Sequence, residues 1–152
     1  MPVEQPSAEQ VLRQLPEVLI VYDGVCVLCN AAIAFIHRHE SARQLKMTPL
    51  QSELGRWLQQ HFDIDLLADN TILVIHHHKL LVRSDALIAI ATRLDRPYKW
   101  LSGYRFFPKR LRDGLYEYLA RRRYRLFGRY DHCLLANAGI QDRIISKMSE
   151  LY

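Results

Sequence analysis

At 152 residues, 49% apolar and 24% charged, with a net charge of +5, the chain has the size and composition of one globular domain able to bury its own core. Three cysteines are too few for a disulfide scaffold, and their odd number points to a reducing compartment. No apolar run reaches membrane-spanning length and the first sixteen residues lack the apolar stretch of a signal peptide, so a cytoplasmic location is expected.

Residues 1–16 read as an N-terminal appendage. Ser7 and Gln10 have the spacing of a capping box for a short helix through Leu15, stopped by Pro16. The core is expected over residues 17–95. Val18 to Tyr22 is an unbroken apolar run, three of its five residues β-branched, which predicts a strand covered on both faces. Asp23-Gly24 suits a turn, and from Cys26 a helical pattern leaves almost no polar face until His37. Gln44 to Thr48 predicts a short strand ended by Pro49. Ser52 to His61 predicts a second helix through Leu54, Trp57 and Leu58, and Asp63 to Asn70 a loop. Thr71 to Ile75 is another β-branched strand, His76-His77-His78 a hairpin turn, and Leu80 to Arg83 its antiparallel return. Ser84 is the expected N-cap of a helix from Asp85 to Leu94. A right-handed crossover between the first two strands followed by a hairpin gives a four-stranded mixed sheet flanked by helices. This is an α/β, thioredoxin-like plan, in which a Cys-x-x-Cys belongs at the end of the first strand.

Residues 96–152 form a basic, aromatic-rich helical extension expected to pack on the same domain. Trp100, Leu101, Tyr104, Phe106 and Phe107 precede Pro108, which suits the first position of a helix running to about Phe127, with Gly128 as its stop. Leu111, Leu115, Tyr118 and Leu119 fall on one stripe, and Tyr116, Tyr118 and Phe127 are expected to pack the helix onto the core. Residues Ala138 to Tyr152 suggest one more weakly amphipathic helix. Between Arg96 and Arg129 lie eleven Lys or Arg and two Asp or Glu, a local charge of +9 that leaves −4 elsewhere. Such asymmetry can mark a nucleic-acid or anionic-membrane surface. A solvated helix face is the simpler reading, and a nucleic-acid partner is not expected, because no groove-reading motif accompanies the charge.

The chemistry concentrates at Cys26 and Cys29. Unpaired N–H groups and the positive end of the dipole at a helix start stabilise an anion, and the thiolate is the reactive form of cysteine. Cys29 lies three residues on from Cys26, which places both on one helix face, within reach of a disulfide. Cys26, expected to be the more exposed, is assigned as nucleophile and Cys29 as the resolving thiol. Asp23 either moves protons to and from the pair or only shapes the turn. Spacing and context favour redox exchange over a metal site and over inert packing.

The sequence also resembles the DCC family of thiol-disulfide oxidoreductases, named for an Asp-x-x-Cys-x-x-Cys motif, here Asp23, Cys26 and Cys29. Further segments carry the likeness: Leu50-Gln51-Ser52, Arg83-Ser84-Asp85-Ala86, and Arg123 to Arg129 followed by Asp131 and Cys133. The resemblance spans roughly residues 17 to 135. It implies a thioredoxin-like fold and dithiol–disulfide exchange with a protein or low-molecular-weight thiol substrate, with no metal or organic cofactor. Thioredoxins and glutaredoxins place a cis-proline just before the third strand; here that place falls near Asn70-Thr71, which holds none. By similarity to glutaredoxins, Ser84 and Asp85 occupy the segment where a glutathione carboxylate is held at a helix N-terminus. The Asp85 carboxylate would repel that anion while its N–H could donate. Tyr22, ending the strand beside the motif, joins them as a candidate substrate contact.

Two metal readings compete. Cys133 and His132 could join Cys26 and Cys29 in a four-ligand zinc site, making the chain a non-catalytic structural module. A buried Cys133 is the simpler account. Neighbouring residues of a strand point to opposite faces, so the three histidines read as a solvated turn.

Overall fold

A computed structural model describes residues 7–42, 44–63, 72–96, 98–128 and 143–145. Strand β1 (Val18–Tyr22) is buried along its whole length and lies at the centre of the sheet. It pairs in parallel with β2 (Lys46–Pro49) and antiparallel with β3 (Ile72–His76), and β3 pairs antiparallel with β4 (Lys79–Leu81). The order β2-β1-β3-β4 is the mixed four-stranded sheet expected.

Alternate residues of β1 feed two cores, as the pleat requires. Val18, Ile20 and Tyr22 join Cys26, Cys29, Ile33 and Ile36 of α2 (Val27–His39) with Ala86 and Ile90 of α4 (Arg83–Ala91). Leu19 and Val21 face Leu54 and Leu58 of α3 (Glu53–Phe62) on the other side, with Leu15 just after α1 (Ala8–Gln14). The expected capping box is present: Ser7 accepts the Gln10 N–H and Gln10 returns the bond. This α/β arrangement, with helices on both faces and a C-terminal helix, is consistent with the thioredoxin-like plan.

Several expectations shift. Helix α4 begins at Arg83 with Val82 at its N-cap and no side-chain cap, so Ser84 lies inside the helix. Its hydroxyl donates instead to Asp113 of α5 (Lys109–Phe127). Residues Tyr98–Phe106 form a 3-10 helical segment. In α5 the inward face is Arg112, Tyr116 and Ala120, whereas Leu111, Leu115, Tyr118 and Leu119 are exposed. Of the residues expected to pack α5 onto the core, Tyr116 is buried as expected and Tyr118 is exposed, while the Phe127 side chain lies outside the described residues. The Tyr116 hydroxyl accepts the Ile72 N–H at 3.0 Å and donates to the Ile72 carbonyl at 3.2 Å, while Arg112 donates to the Phe107 carbonyl at 3.1 Å.

The C-terminal helix expected from Ala138 also changes where it can be seen. Ile144 bridges Met47 in parallel and the Ile145 N–H donates to the Met47 carbonyl at 2.9 Å, extending the sheet beyond β2. The remainder of that segment, the cis-proline position, His132 and Cys133 lie outside the described residues.

Candidate functional site

The C-terminal end of β1 delivers a four-residue turn into α2. The Asp23 carbonyl accepts the Cys26 N–H at 3.3 Å, and Asp23 Oδ1 accepts the Val25 N–H at 3.1 Å, an Asx-type turn. Asp23 therefore shapes the turn, one of its two expected roles. Gln51, reaching over from the loop after β2, grips the same turn with both ends of its amide. Its Nε2 donates to Asp23 Oδ1 at 2.9 Å and its Oε1 accepts the Gly24 N–H at 2.9 Å. Asn30 Nδ2 donates to the Gly24 and Cys26 carbonyls, both at 2.8 Å.

The platform for Gln51 is itself tightly built. Ser52 caps α3 by accepting the Gly55 N–H at 3.0 Å and donates to the Pro49 carbonyl at 2.7 Å. A Cβ on Gly55 would stand 2.3 Å from the Pro49 oxygen, so only glycine lets α3 settle this close to the loop.

Cys26 is the N-cap of α2, and its Sγ accepts the Cys29 N–H at 3.4 Å. That is one of the helix's orphan donors aimed at sulfur, at the positive end of the dipole, an arrangement that stabilises negative charge on Sγ. A second donor, the Val27 N–H, is taken by the Gly128 carbonyl at 3.4 Å, so the end of α5 lies over the first turn of α2. The expectation that Cys26 is the more exposed thiol is corrected: Cys26 is 0% and Cys29 1% exposed. The turn folds inward, with Val25, Tyr22 and Asp23 buried around it.

Tyr22 thus lies with the cysteines, inside their core cluster. Ser84 and Asp85 tie α4 to α5. Ser84 is buried against Asp113, and Asp85 pairs with Lys109 at 3.0 Å and with Arg112 at 3.4 Å. The Asp85 carboxylate is thus already engaged by two cations at this helix start.

One trio among the described residues could hold a metal: ligand atoms of Glu17, His76 and His77 lie within 4.8 Å of one another. Alternation predicts opposed histidines, yet the His76 and His77 rings are 4.2 Å apart, because His77 and His78 adopt positive φ and swing the turn. The Arg93 guanidinium, 3.1 Å from His76 Nε2, disfavours a cation there.

Gln51, Asn30 and Gly128 escaped sequence reasoning as parts of the site. Asn30 is separated from Cys26 by one helical turn, a spacing that could have flagged it. Gln51 and Gly128 arrive from distant elements; their segments carried the family likeness, but nothing local tied them to the cysteine turn.

Comparison with known proteins agrees with the motif. The chain is 30% identical over 133 residues to the uncharacterized protein YuxK of Bacillus subtilis, covering 88% of this chain and 97% of that one. It is 32% identical over 118 residues to a chloroplastic DCC family protein of Arabidopsis thaliana, covering 77% and 69% of the two chains. No solved structure matches. The model of the DCC1-like thiol-disulfide oxidoreductases matches residues 20–129, from the first strand through α5, and the chain belongs to that family.

Proposed function

We propose that the chain exchanges a Cys26–Cys29 dithiol for a disulfide with a protein or low-molecular-weight substrate in a reducing, cytoplasmic setting. The hydrogen bond from the Cys29 N–H to Cys26 Sγ carries this reading, because it supports the thiolate at the N-terminal cysteine. The Cys26 thiolate attacks one sulfur of the substrate disulfide, forming a mixed disulfide and releasing the other sulfur as a thiolate, which takes up a proton. Cys29, losing its proton, then attacks Cys26 Sγ. The second substrate sulfur leaves as a thiolate and the Cys26–Cys29 disulfide forms. The substrate gains two electrons and the protein loses two; the same steps reversed oxidise a dithiol. Asp23, fixed by Val25 and Gln51, holds the turn, and we assign it a part in moving protons at the pair. Tyr22 borders the site. Ser84 and Asp85 are kept as candidate substrate contacts, since Ala86 beside them packs in the same cluster as the cysteines. With both sulfurs buried, exchange requires the turn to open.

Intact mass after equilibration across a glutathione redox series tests the reading. The expected result is reversible loss of two hydrogens in a protein retaining Cys26 and Cys29, with a defined midpoint. Cys26→Ser should abolish exchange, and Cys29→Ser should accumulate the mixed disulfide. A Cys29→Ser protein that turns over normally would remove Cys29 from its resolving role.

A further inference from the structure

Helix α5 presents an apolar face to water. Flanking its packed side, Leu111, Leu115, Tyr118, Leu119 and Leu126 recur at helical spacing, with Leu111 66% and Leu126 59% exposed. Just before the helix, Trp100, Phe106 and Phe107 are 71%, 81% and 60% exposed. Trp100 and Phe107 also wall an almost wholly apolar hollow of about 500 Å³ between α2, α4 and the 3-10 segment. Isolated exposed apolar residues need no explanation, but a continuous stripe along a helix about 28 Å long does.

The charge beside the stripe selects its occupant. Arg121, Arg122 and Arg125 are exposed on the same helix, and the Arg122 guanidinium sits 4.0 Å from the centre of the Tyr118 ring. At the other end, the exposed Arg105 lies 5.1 Å from the Phe106 ring centre. A second copy meeting this face across a two-fold axis would set arginines against arginines. A nucleic acid would engage the rings and guanidinium groups but leave the leucines in water. An anionic bilayer surface satisfies both. Leucine and aromatic side chains enter the interface while arginines reach the lipid phosphates. The geometry points to the outward face of α5, with the 3-10 segment before it, as a docking surface for an anionic lipid bilayer, α5 lying in the plane of the interface. No helix among the described residues is long and apolar enough to cross a membrane, so the contact is peripheral. It does not depend on the cysteines.

Flotation of the whole reduced chain with phosphatidylcholine vesicles, with and without phosphatidylglycerol, tests the inference. Partitioning onto the phosphatidylglycerol vesicles is expected, weakening as salt rises. Leu115→Glu with Leu119→Glu should weaken it by at least about tenfold, and Arg122→Gln or Arg125→Gln by about fivefold each. Circular dichroism on these surface variants verifies the fold. In a Trp57→Phe protein the emission of Trp100 should shift to the blue on binding. Failure to partition would overturn the inference, as would partitioning that the leucine substitutions leave unchanged. It would equally be overturned by a stable dimer that Leu115→Glu dissociates, or by oligonucleotide binding in place of lipid binding.

Discussion

Gln51 is the residue on which the cysteine turn most depends outside its own sequence. Both halves of its amide are engaged, one on the Asp23 carboxylate and one on the Gly24 N–H, in a part-buried setting where water is a poor substitute. Gln51→Leu keeps the bulk and removes both bonds. It should destabilise the fold by about 2 kcal/mol, as read by urea unfolding. It should also shift the midpoint of the dithiol, because the turn it holds sets Cys26 at the helix N-cap. An unchanged midpoint alongside lost stability would make Gln51 a support of the loop alone. Asp23, Cys26 and Cys29 were legible in the sequence because their relation is local: strand, turn and helix start follow one another within a few residues. The burial of both sulfurs was not legible, since the cover comes from residues of β1, β2, β3 and α4 that join them in one core cluster.

At the scale of elements, apolar runs located β1 and β3 because burial on both faces erases polar alternation, whereas β2 and β4, which carry lysines, were marked by Pro49 and by the histidine turn. The faces of helices were harder to read. The leucine stripe of α5 is real in the sequence, but periodicity says only that two faces differ, and the sheet edge needed the hydroxyl of Tyr116 more than it needed leucine. The β3–β4 hairpin shows a similar limit. Its two-residue loop, His77-His78, takes φ of 48° and 67° without glycine or asparagine, which hid its turn type. The loop has a consequence for pH. Partial burial, then the Arg93 and His77 charges, lower the pKa of His76 below its usual 6.5, with Glu17 opposing. The unfolded chain therefore binds this proton at a higher pH than the folded one does. The contribution of His76 to stability is present above about pH 6.5 and is lost as pH falls through and below that value. The exposed Glu17–His77 pair, at 3.3 Å, is worth little in water. The melting temperature should thus fall on going from about pH 7 to about pH 5, and His76→Gln should flatten that part of the profile. A profile identical in the variant would locate the pH dependence in another group.

Across the whole molecule, the layers and strand order follow from the succession of elements, but the tie that closes the β2 edge joins residues 103 positions apart. Arg143 and Glu40 are each only 1% exposed. Their charged groups meet at 3.0 Å, and Arg143 Nη2 also donates to the Glu40 carbonyl at 2.7 Å. The Glu40 carboxylate accepts the Gln44 N–H at 3.1 Å, so one side chain fixes both the end of α2 and the approach to β2. An arginine in a polar C-terminal stretch carries no sequence sign of burial; arginine is among the residues least often found inside. Its value is asymmetric. Forming such a pair recovers little beyond the cost of dehydrating two ions, whereas removing one partner strands the other charge. Arg143→Met should therefore destabilise the protein by about 3–5 kcal/mol in denaturant unfolding, a large share of the stability of a domain this size. Glu40→Gln combined with Arg143→Met should recover part of that loss, because the stranded carboxylate is gone. If the single and double variants lose the same stability, the cost lies in the detached Ile144–Ile145 segment rather than in the unpaired charge.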